Sequence, residues 1–135
     1  MPKIIKGRVV TSGKIVQGEA FLSKELLNGW NGMDPATGTI IQKNHANSGN
    51  SIAGKVFVLA GARGSTGFSA QFHAAKMYGT GPIAMIIGKL DARSASAAIV
   101  SDIPVITDLE EDIFQFIQDG DEVQVDCIKG EITIY

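Results

Sequence analysis

Cysteine is almost missing from this chain: of 135 residues only Cys127 carries a thiol. One thiol cannot close an internal disulfide, and an iron–sulfur cluster usually takes about four thiolates, so any iron–sulfur chemistry requires metal brought by another chain. Long apolar runs are missing too. No segment approaches the roughly 20 apolar residues of a membrane span, and the start "MPKIIKGRVV" has no apolar core of a leader peptide. A soluble, cytoplasmic protein with no membrane contact is expected. A surplus of one charge is also absent, with 12 Lys and Arg against 14 Asp and Glu and a net charge of −2. The basic residues are scattered, which leaves no electrostatic footprint for nucleic acid. No internal repeat, low-complexity tract or linker interrupts the chain.

What is present is an ordinary globular balance, 44% hydrophobic and 19% charged, sized for a single domain spanning residues 1–135. The first part, "KIIKGRVV", "GKIVQGEAFLS" and "TGTIIQ", reads as short strands separated by glycine, with the turn-rich "GWNGMDPATG" between the last two. From Ile52 onward the pattern changes. "IAGKVFVLA", "PIAMIIG" and "IPVIT" are nearly continuous apolar runs, as expected of parallel strands covered on both faces. Between and after them "TGFSAQFHAAKMYG", "ARSASAAIV" and "LEEDIFQFIQDG" read as helices, the last with acidic residues in its first turn and Gly120 as its stop. "DEVQVDCIKGEITIY" reads as two closing strands. The expected fold class is α/β, an antiparallel β layer from the first half packed on a parallel sheet with crossover helices.

Open α/β sheets place ligands beyond the carboxyl ends of their parallel strands, and there lies "GARGST", Gly61 to Thr66. Phe68, Phe72 and Ala75 give the following helix a buried stripe, which puts its start near Ser65 or Thr66. Free backbone N–H groups and the positive end of the helix dipole make such a start receptive to an anion. Arg63 adds a planar fork of donors suited to a carboxylate or phosphate, and Gly61, Gly64 and Gly67 let backbone approach a ligand. The stretch lacks the Gly-Lys ending of a P-loop and the three-glycine spacing of a dinucleotide fingerprint, which disfavours a nucleotide. Ser65 is open to two readings from local sequence: a helix cap, since Ser and Thr are preferred there, or a nucleophile or base that a neighbouring charge must activate.

With "GEAFLS", "GWNGMDPATGTII", "HANSGNSIAGKVFV", "GARGST", "TGPIAMII", "SASAAIVSDIPVIT" and "GDEVQVD", nearly the whole chain resembles the small, swivel-domain component of the aconitase X family of hydro-lyases. The resemblance implies a swivelling β/β/α domain and a two-component dehydratase, with this chain inactive without a large subunit that carries an iron or iron–sulfur centre. It implies that Ser65 is the catalytic base, with Arg63, Gly64, Thr66 and His45 binding a small anionic substrate or shaping the turn, and with no metal bound here. In the implied β-elimination of water, Lewis-acidic iron on the partner polarises the leaving hydroxyl while Ser65 takes the proton from the adjacent carbon. Two substrates fit, cis-3-hydroxy-L-proline and mevalonate 5-phosphate. Arg63, where the phosphomevalonate type often has lysine, tilts the reading toward the hydroxyproline.

The remaining chemistry-bearing residues have plainer readings. His73 sits one step off the helix stripe and reads as structural; Trp30 reads as a core or interface anchor more than a substrate contact. Asp34 serves a turn, Cys127 is a small buried apolar residue, "LEEDIF" a solvated helix start and Lys55 a strand residue reaching solvent. Two other classes compete: a non-catalytic anion-binding or partner-regulating module, which would not need Ser65, and a phosphohistidine carrier, which would need a histidine where Ser65 stands.

Overall fold

The computed structural model describes residues 2–11, 13–29, 31–64 and 67–135. Its strands in chain order are β1 (Lys3–Lys6), β2 (Arg8–Thr11), β3 (Ile15–Ser23), β4 (Leu27–Asn28), β5 (Met33–Asp34), β6 (Thr39–Ile40), β7 (Val56–Leu59), β8 (Ala62–Arg63), β9 (Ala84–Ile87), β10 (Val105–Thr107), β11 (Glu122–Asp126) and β12 (Glu131–Ile134). Two α-helices follow strands of the parallel region: α1 (Phe68–Tyr78) and α2 (Ala92–Ser101). Neither is long and apolar enough to cross a membrane.

One eight-stranded sheet runs in the order β1-β12-β11-β3-β7-β9-β10-β2. The β3-β7-β9-β10 portion is parallel, whereas β1, β12, β11 and β3 pair antiparallel and β2 closes the far side antiparallel to β10. The antiparallel layer thus draws on both ends of the chain, not on its first half alone as the pattern suggests. Strands β1 and β2 occupy opposite edges although only Gly7 separates them. The sheet must therefore fold back on itself. At Gly7 the N–H bonds to the carbonyl of Gly130 at 3.0 Å, and a Cβ would stand 2.7 Å from both Ile106 Cγ2 and the Thr107 carbonyl oxygen. Only glycine fits where the chain crosses from one edge to the other.

The pleat explains the two cores. Alternate residues of β7 point to opposite faces: Val56 and Val58 join Ile5, Ile86, Ile106, Val123, Val125, Ile132 and Cys127 inside the folded sheet, while Phe57 and Leu59 join Phe68, Phe72, Ala75, Ala97 and Ala98 beneath the helices. This is a β/β/α sandwich. Each fully buried Phe, Leu, Ile or Val contributes roughly 1.5–3 kcal/mol, so stability resides in these two layers and the polar loops at the strand ends are free to serve other ends.

Two expectations change. The helix read across "LEEDIFQFIQDG" is a single 3-10 turn, Ile113–Gln115, capped by Asp112, whose side chain accepts from the Phe114 N–H at 3.1 Å. Beyond that turn, acidic side chains take backbone donors: Asp119 Oδ1 accepts from the Leu22 N–H at 2.8 Å and from Asn47 Nδ2 at 3.0 Å, and Asp121 Oδ2 from the Gln118 N–H at 2.9 Å. Side-chain acceptors that compete for backbone donors favour turns over helix. Helix α1 starts at Phe68 with Gly67 as its cap, later than the Ser65 or Thr66 start read from sequence.

Candidate functional site

The carboxyl ends of β3, β7 and β9, three neighbours in the sheet, release the loops that meet at this site. After β7 the chain makes one bonded step, β8, parallel to β4 in the loop after β3. The Leu27 N–H bonds to the Gly61 carbonyl at 3.0 Å and the Gly29 N–H to the Arg63 carbonyl at 2.8 Å. Arg63 is exposed, and its Nε donates to Asn28 Oδ1 at 2.9 Å. That bond fixes one edge of the guanidinium and turns its side toward solvent. Gly64 follows with φ of +81° and open space around a hypothetical Cβ, a left-handed conformation that costs a side-chain-bearing residue roughly 1–2 kcal/mol. Ser65, Thr66 and Trp30, singled out in the sequence, lie outside the described residues.

Asn28, which sequence reading passes over, is the hub of this loop. Its N–H donates to Gln42 Oε1 at 2.8 Å, its carbonyl accepts from Gln71 Nε2 of α1 at 3.0 Å, and its side chain holds Arg63. Gln42 Nε2 in turn donates to the Leu26 carbonyl at 3.0 Å. Three segments are locked to one residue by bonds of about 1 kcal/mol net each. The start of α1 is held from below as well, since Phe68 and Phe72 are buried in the core under the helices and their rings lie 5.0 Å apart. An open cavity of about 290 Å³ lies beside the turn, lined by Gly29, Asn31, Met33, Gly67 and Gln71 among others.

The loop after β9 supplies the third side. Asp91 caps α2 reciprocally: its Oδ1 accepts from the Ser94 N–H at 3.0 Å, and Ser94 Oγ accepts from the Asp91 N–H at 3.0 Å. This is a capping box built with serine at the third position. Asp91 Oδ2 takes Arg93 Nη2 at 2.7 Å and Nε at 3.2 Å, and Arg93 Nη1 donates to the Gly64 carbonyl at 2.7 Å. Partial burial pushes the Asp91 carboxyl up, but the Ser94 N–H, the Arg93 guanidinium and the Ser94 hydroxyl outweigh it and hold the group below its ordinary value. The D-x-x-S spacing of the cap was legible in "DARS"; the reach of Arg93 to Gly64 was not.

His45 is placed differently. It lies in the loop between β6 and β7 with its side chain 0% exposed. Nδ1 accepts from the Asn47 N–H at 3.0 Å, which leaves the proton of the neutral ring on Nε2, 2.9 Å from Ser23 Oγ and 3.4 Å from Glu25 Oε2. Both ring nitrogens are in use. Asn47 continues the stitching through Nδ2 to the Leu22 carbonyl at 2.8 Å and to Asp119. His73 is exposed on α1. Asp34 closes the β5–β6 turn, its Oδ1 accepting from the Ala36 N–H at 3.1 Å. Lys55 pairs with Glu19 at 2.7 Å at the surface. Cys127 is buried inside the folded sheet, where burial raises its thiol above the ordinary range.

Among the described residues no group of three or more His, Cys, Asp or Glu could hold a metal ion. A buried thiol in an apolar interior does not offer iron a ligand set either. The described residues offer no ligand set for an iron centre, the group that the resemblance assigns to the large subunit.

The chain matches the Aconitase X swivel domain over residues 4–134. It is 38% identical over 130 residues to the phosphomevalonate dehydratase small subunit of Methanocella arvoryzae, covering 96% of this chain and 98% of that one. The phosphomevalonate dehydratase small subunit of Methanosarcina acetivorans is 34% identical over 134 residues, 99% of this chain and 92% of that one. Among solved structures, the crystal structure of Thermococcus kodakaraensis aconitase X in its holo-form superposes with a TM-score of 0.90 at 33% identity, covering 98% of each chain.

Proposed function

Since the chain belongs to the aconitase X swivel domain family, we propose that it is the small subunit of a two-component dehydratase acting on mevalonate 5-phosphate, with Ser65 as the base. The substrate follows the relatives, which are named for phosphomevalonate dehydration; the tilt toward cis-3-hydroxy-L-proline that Arg63 suggested finds no support there. Arginine and lysine both bring the charge a phosphate needs, so that side chain does not separate the two.

The observation that carries the reading is the turn itself: Arg63 and Gly64 at the carboxyl end of β7, where three loops converge. Within it Ser65, as the alkoxide, takes the proton from the carbon next to the departing hydroxyl, the C–H electrons form the new double bond as the C–O bond breaks, and the departing oxygen receives a proton back from Ser65, directly or through solvent, so that it leaves as water and the serine base is restored. A serine hydroxyl is a weak base and needs positive surroundings to release its own proton. Arg63 two residues earlier and the start of α1 three residues later are the sources of that field in this chain. Arg63, with its Nε held by Asn28, presents its remaining N–H groups to an anionic end of the substrate. Gly64 and Thr66 shape the turn, and His45 acts at a distance by holding the loop after β3 through Ser23. In this reading the iron or iron–sulfur centre belongs to the large subunit.

The test is a dehydration assay of this chain mixed with its large partner, anaerobic and iron-loaded, offering mevalonate 5-phosphate and cis-3-hydroxy-L-proline in parallel. Turnover of the first alone, lost in Ser65→Ala, is expected. Turnover of the hydroxyproline alone overturns the substrate; a Ser65→Ala variant with normal turnover overturns the base.

A further inference from the structure

We infer that Arg93, anchored on Asp91, is a positioning residue for the catalytic turn: its guanidinium holds the Gly64 carbonyl and so sets the peptide that leads into Ser65. The inference rests on the reading of Ser65 as the base and adds a residue that neither the family resemblance nor the relatives' names assign.

Gly64 has no side chain to pack, and among the described residues, its chain neighbours aside, none lies within 4 Å of where a Cβ would be. Sterics alone therefore do not choose its backbone conformation. A peptide unit is planar, so fixing the direction of one carbonyl oxygen fixes the N–H on the other side of the same unit. The bond that holds the Gly64 oxygen comes from Arg93 Nη1 at 2.7 Å, a charge-assisted contact of the stronger kind. Arg93 is itself held at two points by Asp91 Oδ2, and Asp91 is fixed by the capping box of α2. A rigid chain of contacts thus runs from the helix start after β9 to the turn after β7.

A purely stabilising role explains this arrangement poorly. The cap of α2 is complete with Asp91 and Ser94 and does not use Arg93. The Asp91–Arg93 pair is about one third exposed on both sides, and ion pairs of that kind are worth about 0–1 kcal/mol. Little of the fold depends on it. A small displacement of a reacting group, by contrast, costs rate steeply, about 100-fold for 1 Å. The structural investment in this contact is therefore matched to geometry at the turn.

The experiment compares native, Arg93→Ala, Arg93→Lys and Ser65→Ala chains, each assembled with the large partner, and measures kcat and KM for mevalonate 5-phosphate. Amide hydrogen exchange of the peptide spanning residues 61–68 is followed in each chain alone. Arg93→Ala is expected to lower kcat by about 10- to 100-fold with KM within about threefold, and to speed exchange in that peptide, with the thermal midpoint almost unmoved. Arg93→Lys recovers part of kcat, because an ammonium reaches a carbonyl but cannot span it and Asp91 together. Unchanged exchange and kcat in Arg93→Ala overturn the inference, and so does a rise in KM alone, which would make Arg93 a substrate ligand. Persistent turnover in Ser65→Ala defeats the base assignment instead, separately from the behaviour of Arg93.

Discussion

Two loops of similar polarity have opposite fates in this protein. The loop after β6 turns its polar groups inward: His45 and Asn47 are buried and spend their donors and acceptors on Ser23, Leu22 and Asp119. The turn after β7 does the reverse. There Arg63 is exposed and, among the described residues, its side chain is tethered through Nε, while the supports come from outside the turn, from Asn28 and Arg93. A histidine in a glycine-rich loop looks at least as chemical as an arginine in a turn, yet what remains unspent after folding decides which can meet a ligand. Buried polar groups must be satisfied, and a satisfied group is a fastener.

The contrast can be broken by substitution. The largest effect is expected for Ser65→Ala in the assembled dehydratase, a loss of turnover of about 100- to 10,000-fold with the subunits still associated, read by steady-state kinetics and size-exclusion chromatography. Arg63→Ala should raise KM for the anionic substrate by about tenfold or more, with a normal melting curve, since a charge-assisted contact is worth about 1.5–3 kcal/mol. On the other loop the pattern inverts. His45→Ala strands the Asn47 N–H and takes one partner from the Ser23 hydroxyl, which keeps the Glu25 carbonyl, so a loss of about 1–3 kcal/mol in urea unfolding is expected, with kcat per folded molecule kept; a kinetic defect in a fully stable variant would move His45 into the site. Gly64→Ala, strained at φ of +81°, should cost roughly 1–2 kcal/mol by the same unfolding measurement. The smallest effect is one of pH. The Asp91 carboxyl is held below its ordinary value of 3.8, so its contribution is complete above that pH and fades as the pH falls through the lower folded value. The stability gap between native protein and Asp91→Asn should therefore be constant near neutrality and shrink below pH 3.8.

Much of the parallel half was legible because its signals are local. "VFVL", "AMII" and "VIT" are apolar on both faces, and Phe68, Phe72 and Ala75 mark the buried side of α1. The carboxyl-end rule then points at the Arg63 turn without any knowledge of contacts. What escaped is non-local. Arg63 meets Asn28 across 35 residues and Arg93 meets Gly64 across 29, and no periodicity encodes a pairing of that span. The misread helix near Ile113 failed for a related reason: Asp119 and Asp121 are spent on backbone donors, one of them far away in β3, and that competition is invisible in a window of ten residues.

Gly7 carries a consequence for how the molecule comes into being. Residues on either side of it pair with strands far down the chain, Lys3 with Ile134 and Thr11 with Val105. On a ribosome, where synthesis runs from the amino end, the first strand therefore waits for the last one to be made. Contacts this distant in sequence slow the search for the native state, and an apolar strand with an open edge is a template for the wrong neighbour meanwhile. The two lysines that flank Ile4 and Ile5 are suited to that interval, since charge on an unpaired edge discourages association between nascent chains.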